Sequence, residues 1–337
     1  RLVQCLHAVE CVGEVGEKGT PFNLQLPQQN QHSQQDGRRG GRFRGVKVSY
    51  LSGQFQDDHF RFILVQKPEA TVYDIEPRIR ELTQGTSCPK PDSEPCHEGA
   101  ALVDWLGDEH AGRATIMLSY GWGYQVEKII DALVTHCQRN SLNVNDVLVW
   151  ICCLCINQHR VKRARALGEV VPFETFRSEF GDRVRGVGSV LALLSPWDKP
   201  LYIKGVWCCF ELFEATQNQD VTLELIMPSS DAEDLQNRVA HASMQTVLGV
   251  LRDLDIRKAD ASVAADRAHI FQLIRDGPGF AKVNGHVATR VGDWFASICR
   301  EEIVNKETTF GPMHAATLTS VNNLGFLLEA QGKLEEA

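Results

Sequence analysis

Five side chains offer the chemistry of a binding or catalytic site. Ser119, Tyr120 and Trp122 lie in Leu118-Ser119-Tyr120-Gly121-Trp122-Gly123, Asn157 in Ile156-Asn157-Gln158-His159, and Glu211 in Trp207-Cys208-Cys209-Phe210-Glu211. A carboxylate such as Glu211, set beside a ribose, can hold the sugar hydroxyls and stabilise the positive charge of an oxocarbenium-like transition state, as glycosidase carboxylates do. The alternative is an exposed or salt-bridged glutamate on an amphipathic helix. The rings of Tyr120 and Trp122 can stack on a base, or can close a turn and pack in a core. Ser119 can bond a ribose or phosphate oxygen, or cap a local turn. No base is paired with it, so no nucleophilic role follows. Asn157 opens a polar stretch with Arg160, Lys162, Arg163 and Arg165, which can meet phosphate groups or an acidic neighbour, or remain a solvated loop.

Other chemistries lack their residues. There is no G-x-x-x-x-G-K-[ST] phosphate loop and no dinucleotide-binding G-x-G-x-x-G. Cys88, Cys96 and His97 do not make the two ligand pairs of a zinc site. Asp253, Asp255, Asp260 and Asp266 straddle a polar junction without calcium-loop spacing. No metal is therefore expected. Most of the eleven cysteines sit inside apolar segments, which fits buried free thiols better than disulfides. A net charge of -8 argues against broad attraction to nucleic acid or anionic membranes. The short Arg38–Gly45 Arg-Gly tract does not reverse that, and nucleic acid is not an expected partner. Apolar runs are too short to cross a bilayer and no signal peptide opens the chain, so a soluble cytoplasmic protein is expected. The initial Arg and the repeat-like end predict that the sequence is a piece of a longer one.

The elements that position these residues follow from periodicity. Residues 1–57 are expected to form a poorly ordered N-terminal region, with a Gln-, Gly- and Arg-rich linker between Asn23 and Gly45 whose composition supplies no core. Residues 58–112 are expected to add an edge strand, His59–Val65, and a short helix, Thr71–Leu82. From 113 to 230 the pattern alternates. Apolar strands at Ala114–Tyr120, Asp146–Ile156, Val187–Ser195 and Val221–Met227 are separated by helices, of which Val126, Ile129, Ile130, Leu133, Val134 and Cys137 mark the first. The Asn157–Ala166 stretch reads as a loop, Phe173–Val184 as a helix and Tyr202–Thr216 as another. Such alternation predicts an α/β fold with a doubly wound, flavodoxin-like, mostly parallel sheet. Ligands of such sheets bind at the carboxyl ends of the strands, which is where Ser119–Gly123, Asn157–His159 and Ser195–Trp197 fall. Residues 231–307 form a C-terminal helical extension broken at Gly277-Pro278-Gly279, and residues 308–337 the start of a repeat.

Leu118-Ser119-Tyr120-Gly121-Trp122-Gly123, followed by Trp150-Ile151-Cys152-Cys153-Leu154-Cys155-Ile156-Asn157-Gln158, resembles the ordered S-Y-x-W-G and W-I-D-x-L-C-I-N-Q motifs of fungal HET domains. Cys152 stands where that second motif carries an acid. Ser195-Pro196 through Tyr202 to Trp207-Cys208-Cys209-Phe210-Glu211-Leu212 resembles the S-P-x-Y…W-C-x-x-E-L helix of TIR domains. The resemblance covers about a third of the chain. It implies a self-associating signalling module and hence a homo-oligomer; in those TIR members that cleave NAD+, the glutamate of this helix does so. It thus implies NAD+ as a possible substrate rather than a cofactor, with Glu211 as the catalytic carboxylate and Ser119, Tyr120, Trp122 and Asn157 around the ligand. Nicotinamide leaves as a neutral ring, so cleavage needs a carboxylate more than a strong general acid. The Thr317–Gly325 and Gln331–Ala337 runs resemble a tetratricopeptide repeat of the kinesin-light-chain type. A single repeat cannot bury its own apolar face, so that resemblance implies further repeats and protein partners bound through them.

Overall fold

The computed structural model describes residues 41–87, 98–168, 173–217, 220–241, 244–260 and 264–333. The fold is α/β. Six strands form a mixed, mostly parallel sheet: β1 (Arg44–Lys47), β2 (Ala111–Arg113), β3 (Ile116–Ser119), β4 (Leu148–Trp150), β5 (Ser189–Leu193) and β6 (Thr222–Ile226), with β2-β1-β4-β3 neighbours in that order and β5 beside β6. β3 and β4 run parallel, Ile116 opposite Val149 and Met117 opposite Trp150, while β1 is antiparallel to both β4 and β2. The chain divides into two compact units. One contains the described residues up to Leu118 together with Leu142–Ser189, the other Ser119–Ser141 and the described residues from Val190 onward.

In the first of these units, β1 corrects the expected N-terminal boundary. Composition assigns residues up to 57 to a poorly ordered region, yet Arg44–Lys47 is a strand whose first three residues are buried. Gly45 is needed there, because a Cβ would lie 2.9 Å from the Val149 backbone and from Ala114 Cβ. The buried Arg44 guanidinium is paired: Nε donates to Val103 O at 3.1 Å and Nη2 to Asp108 at 2.6 Å, which offsets its desolvation. Residues 1–40 of that region lie outside the described residues. The strand expected at His59–Val65 is instead helical, a π-helical turn Phe55–Phe60 running into a helix Arg61–Gln66. Phe55, Phe60 and Leu64 are buried while Phe62 and Val65 are exposed, a spacing that suits a helix and not an alternating strand. The edge strand is β2.

The Val72–Thr83 helix begins at a capping box between Thr71 and Asp74. The expected strand Asp146–Ile156 shortens to β4, followed by one helical turn, Cys152–Cys155. The expected loop from Asn157 is the helix Gln158–Ala166, and the helix Phe173–Val187 leads to β5.

In the other unit, the Val126–Arg139 helix buries Val126, Ile129, Ile130, Leu133 and Cys137, the stripe its periodicity requires. Helix Val206–Gln217 is apolar nearly all round at its start: Val206, Trp207, Cys208, Cys209, Phe210 and Leu212 are buried, and Trp207 meets Phe210 edge to face at 6.1 Å. Burial of each large side chain there contributes about 1.5–3 kcal/mol. After β6 come helices Ser229–His241, Gln245–Asp253, Ala264–Asp276, Phe280–Phe310 and Ala315–Ala330. The break expected at Gly277-Pro278-Gly279 separates two of them, with Gly279 at φ +79°. The last two form a hairpin. Lys306 Nζ donates to Ser320 Oγ at 3.0 Å and Lys333 pairs with Asp293, while Gly292 leaves room for Gln331, whose Nε2 a Cβ there would strike.

Candidate functional site

Ser119 is the last residue of β3 and is 1% exposed; Glu211 sits on the Val206–Gln217 helix and is partly exposed. The Ser119 hydroxyl donates to Glu211 Oε2, and Ser119 Oγ lies 2.8 Å from the Tyr202 hydroxyl. A serine hydroxyl has one proton. With that proton given to the carboxylate, Tyr202 must be the donor to Ser119, so the three groups form a one-way chain from Tyr202 through Ser119 to Glu211. Burial, followed by the charges of Cys208 and Glu211, raises the Tyr202 pKa well above the ordinary phenol value, which keeps Tyr202 protonated as this chain requires. The same carboxylate adds to burial in pushing the Cys209 thiol up to about 12, so that thiol is not a ready nucleophile.

Tyr124 fastens the neighbouring strand end. Its hydroxyl donates to Leu193 O at 2.8 Å and accepts from the Tyr202 N–H at 2.8 Å and the Ser195 N–H at 3.4 Å. The Tyr124 amide closes a turn onto Gly121 O at 3.1 Å. Just beyond β5, Ser195 Oγ donates to Asp231 at 2.6 Å, and Lys128 pairs with the same carboxylate at 3.0 Å. Polar groups of this unit therefore gather around Ser119 and Ser195.

Of the residues named from sequence, Ser119 and Glu211 are brought into contact. Tyr120 and Trp122 are 4% and 1% exposed, their rings enclosed. Asn157 belongs to the other unit and is 8% exposed. Its Nδ2 donates to Gly99 O at 2.9 Å, and its Oδ1 accepts from the backbone N–H groups of His159 and Arg160 at 3.0 and 3.2 Å. It is thereby the N-cap of the Gln158–Ala166 helix. Sequence reasoning missed the part played by Tyr202 and Tyr124, since a tyrosine beside an apolar run carries no signal of where its hydroxyl ends.

The basic stretch after Asn157 lines an open cleft of about 740 Å3 within its own unit, where Lys162 and Arg163 face Arg80, Glu81 and Glu98. His159, 8% exposed, lies at its edge with Nε2 2.9 Å from Thr83 Oγ1. Thr83 Oγ1 donates to Ile79 O at 2.9 Å, which leaves it to accept a proton from the imidazole. Burial first, then the charge of Arg80, lowers the His159 pKa.

Among the described residues no three His, Cys, Asp or Glu side chains converge in a group able to hold a metal ion. Asp255 caps a short 3-10 helix and bonds Arg257 and Asn284; Cys88, Cys96 and His97 lie outside the described residues. No described helix is long and apolar enough to cross a membrane. Comparison of the chain with protein-family models, with curated proteins and with solved structures found no match.

Proposed function

We propose that the chain is an intracellular, cytoplasmic signalling or scaffold protein, in which a TIR/HET-like α/β domain self-associates and a helical-repeat segment binds protein partners. The observation that carries this reading is the hairpin of Phe280–Phe310 and Ala315–Ala330, whose second helix leaves Leu318, Val321 and Phe326 between 43% and 50% exposed. A helix with apolar side chains on both sides suits a stacked array, where each hairpin is covered by the next or by a ligand. The test is association: the purified chain should form concentration-dependent homo-oligomers, and Leu318→Glu with Phe326→Glu should remove partner capture while leaving those oligomers intact.

The Tyr202–Ser119–Glu211 chain favours a second reading, NAD+ hydrolysis. In it Glu211 stabilises the ribosyl cation as the bond to nicotinamide breaks, water adds to the sugar carbon and releases its proton to solvent, and Ser119 aims the carboxylate. Tyr120 and Trp122, being enclosed, shape the β3 exit, and Asn157 holds the start of its helix. Nicotinamide release from NAD+ by the purified chain tests this reading.

A further inference from the structure

Cys152 and Cys155 occupy the two ends of the single helical turn that follows β4 and Ile151. Residues three apart on a helix share a side, with Cβ atoms about 5–6 Å apart. A disulfide needs about 3.5–4.5 Å, so a small rotation of this short turn suffices to join the two sulfurs. The turn is closed by three backbone bonds, to Ile151 O from Leu154 at 3.0 Å and Cys155 at 2.9 Å and to Cys152 O from Ile156 at 3.0 Å. Cys152 is partly exposed, whereas the intervening Cys153 is 3% exposed and the Cys155 thiol is enclosed. The Ile151 N–H donates to Cys155 Sγ at 3.3 Å, which holds that sulfur against the start of the turn. A C-x-x-C pair at a strand-to-helix junction of an α/β unit is an arrangement that thiol–disulfide chemistry can use.

We propose that Cys152 and Cys155 form a thiol–disulfide exchange site for small, glutathione-type disulfides, with Cys152 attacking and Cys155 resolving. Cys152 loses its proton to solvent, and its thiolate attacks one sulfur of the external disulfide. A mixed disulfide forms at Cys152, the external S–S bond breaks, and the other half leaves as a thiolate that takes up a proton. Cys155, deprotonated in turn, attacks the Cys152 sulfur. The Cys152–Cys155 bond forms, the mixed disulfide breaks, and the second half leaves as a thiol. Two protein thiols are oxidised to one disulfide and one external disulfide is reduced to two thiols. The order of attack follows from access: the partly exposed Cys152 meets an external disulfide first, while burial, which raises the Cys155 thiol well above its ordinary range, confines Cys155 to the intramolecular second step.

The test uses the full chain in buffers of oxidised and reduced glutathione, quenched by alkylation and read by peptide mass across Cys152, Cys153 and Cys155. The expected result is loss of two of these three alkylatable thiols in a Cys152–Cys155 link that reduced glutathione reverses. Cys155→Ser should trap glutathione on Cys152, and Cys152→Ser should leave Cys155 unmodified. The proposal is overturned if all three thiols of the native chain stay alkylatable in excess oxidised glutathione. A link through Cys153, or glutathione that stays on Cys152 with Cys155 present, overturns it equally. Because the native chain alone distinguishes these outcomes, the test stands even if a variant fails to fold.

Discussion

The hydroxyl of Ser119, at the carboxyl end of β3, donates to the carboxylate of Glu211, on a helix that follows β5. Two residues singled out for their chemistry are thus direct partners, and Tyr202 completes the chain from behind Ser119 at 2.8 Å.

That order of donors ranks two substitutions. Ser119→Ala removes the acceptor of Tyr202, a residue 0% exposed, and a donor of Glu211 together. Leaving buried groups unsatisfied costs about 1–3 kcal/mol. Tyr202→Phe removes one donor but leaves Ser119 bonded to Glu211, at a cost of about 0.5–1.5 kcal/mol. Urea unfolding should therefore place Ser119→Ala below Tyr202→Phe, and the reverse order would contradict the place of Ser119 between the two groups.

Glu211→Gln separates chemistry from architecture. Glutamine keeps an acceptor for Ser119 but not the charge that a ribosyl cation requires. On the hydrolase reading, nicotinamide release falls about a hundredfold or more, as for loss of an electrostatic stabiliser, with an unchanged unfolding midpoint. A variant as active as the native chain would remove Glu211 from the chemistry.

Legibility followed local pattern. Val126, Ile129, Ile130, Leu133 and Cys137 announce their helix because helical period and burial coincide. β1 was hidden because Gly45 and Arg44 read as linker composition; only the close approach of Val149 and the partners of Arg44 explain them. The Gln158–Ala166 helix was hidden because its charged residues obscure the two buried apolar positions Val161 and Ala164. Ser119 and Glu211 were legible as side chains at a strand end and on a helix. Their contact was not, since it depends on how residues 92 positions apart come together.

Acid should destabilise the fold through two histidines. Burial is the first cause lowering the pKa of both His159 and His59 in the folded chain. Below the ordinary histidine value of about 6.5, the unfolded chain takes up protons that the folded chain refuses. The stability these groups contribute is therefore present above that pH and lost as pH falls through their folded-state values. Chemical unfolding between neutral and mildly acidic pH should show a shallower decline in His159→Gln than in the native chain. Equal slopes would mean that His159 titrates alike in both states.

Self-association is the central claim, and sedimentation velocity of the purified full chain over a wide concentration range tests it most directly. The predicted result is a weight-average sedimentation coefficient that rises with concentration from the monomer to a discrete oligomer. A single monomeric boundary at every concentration would contradict it.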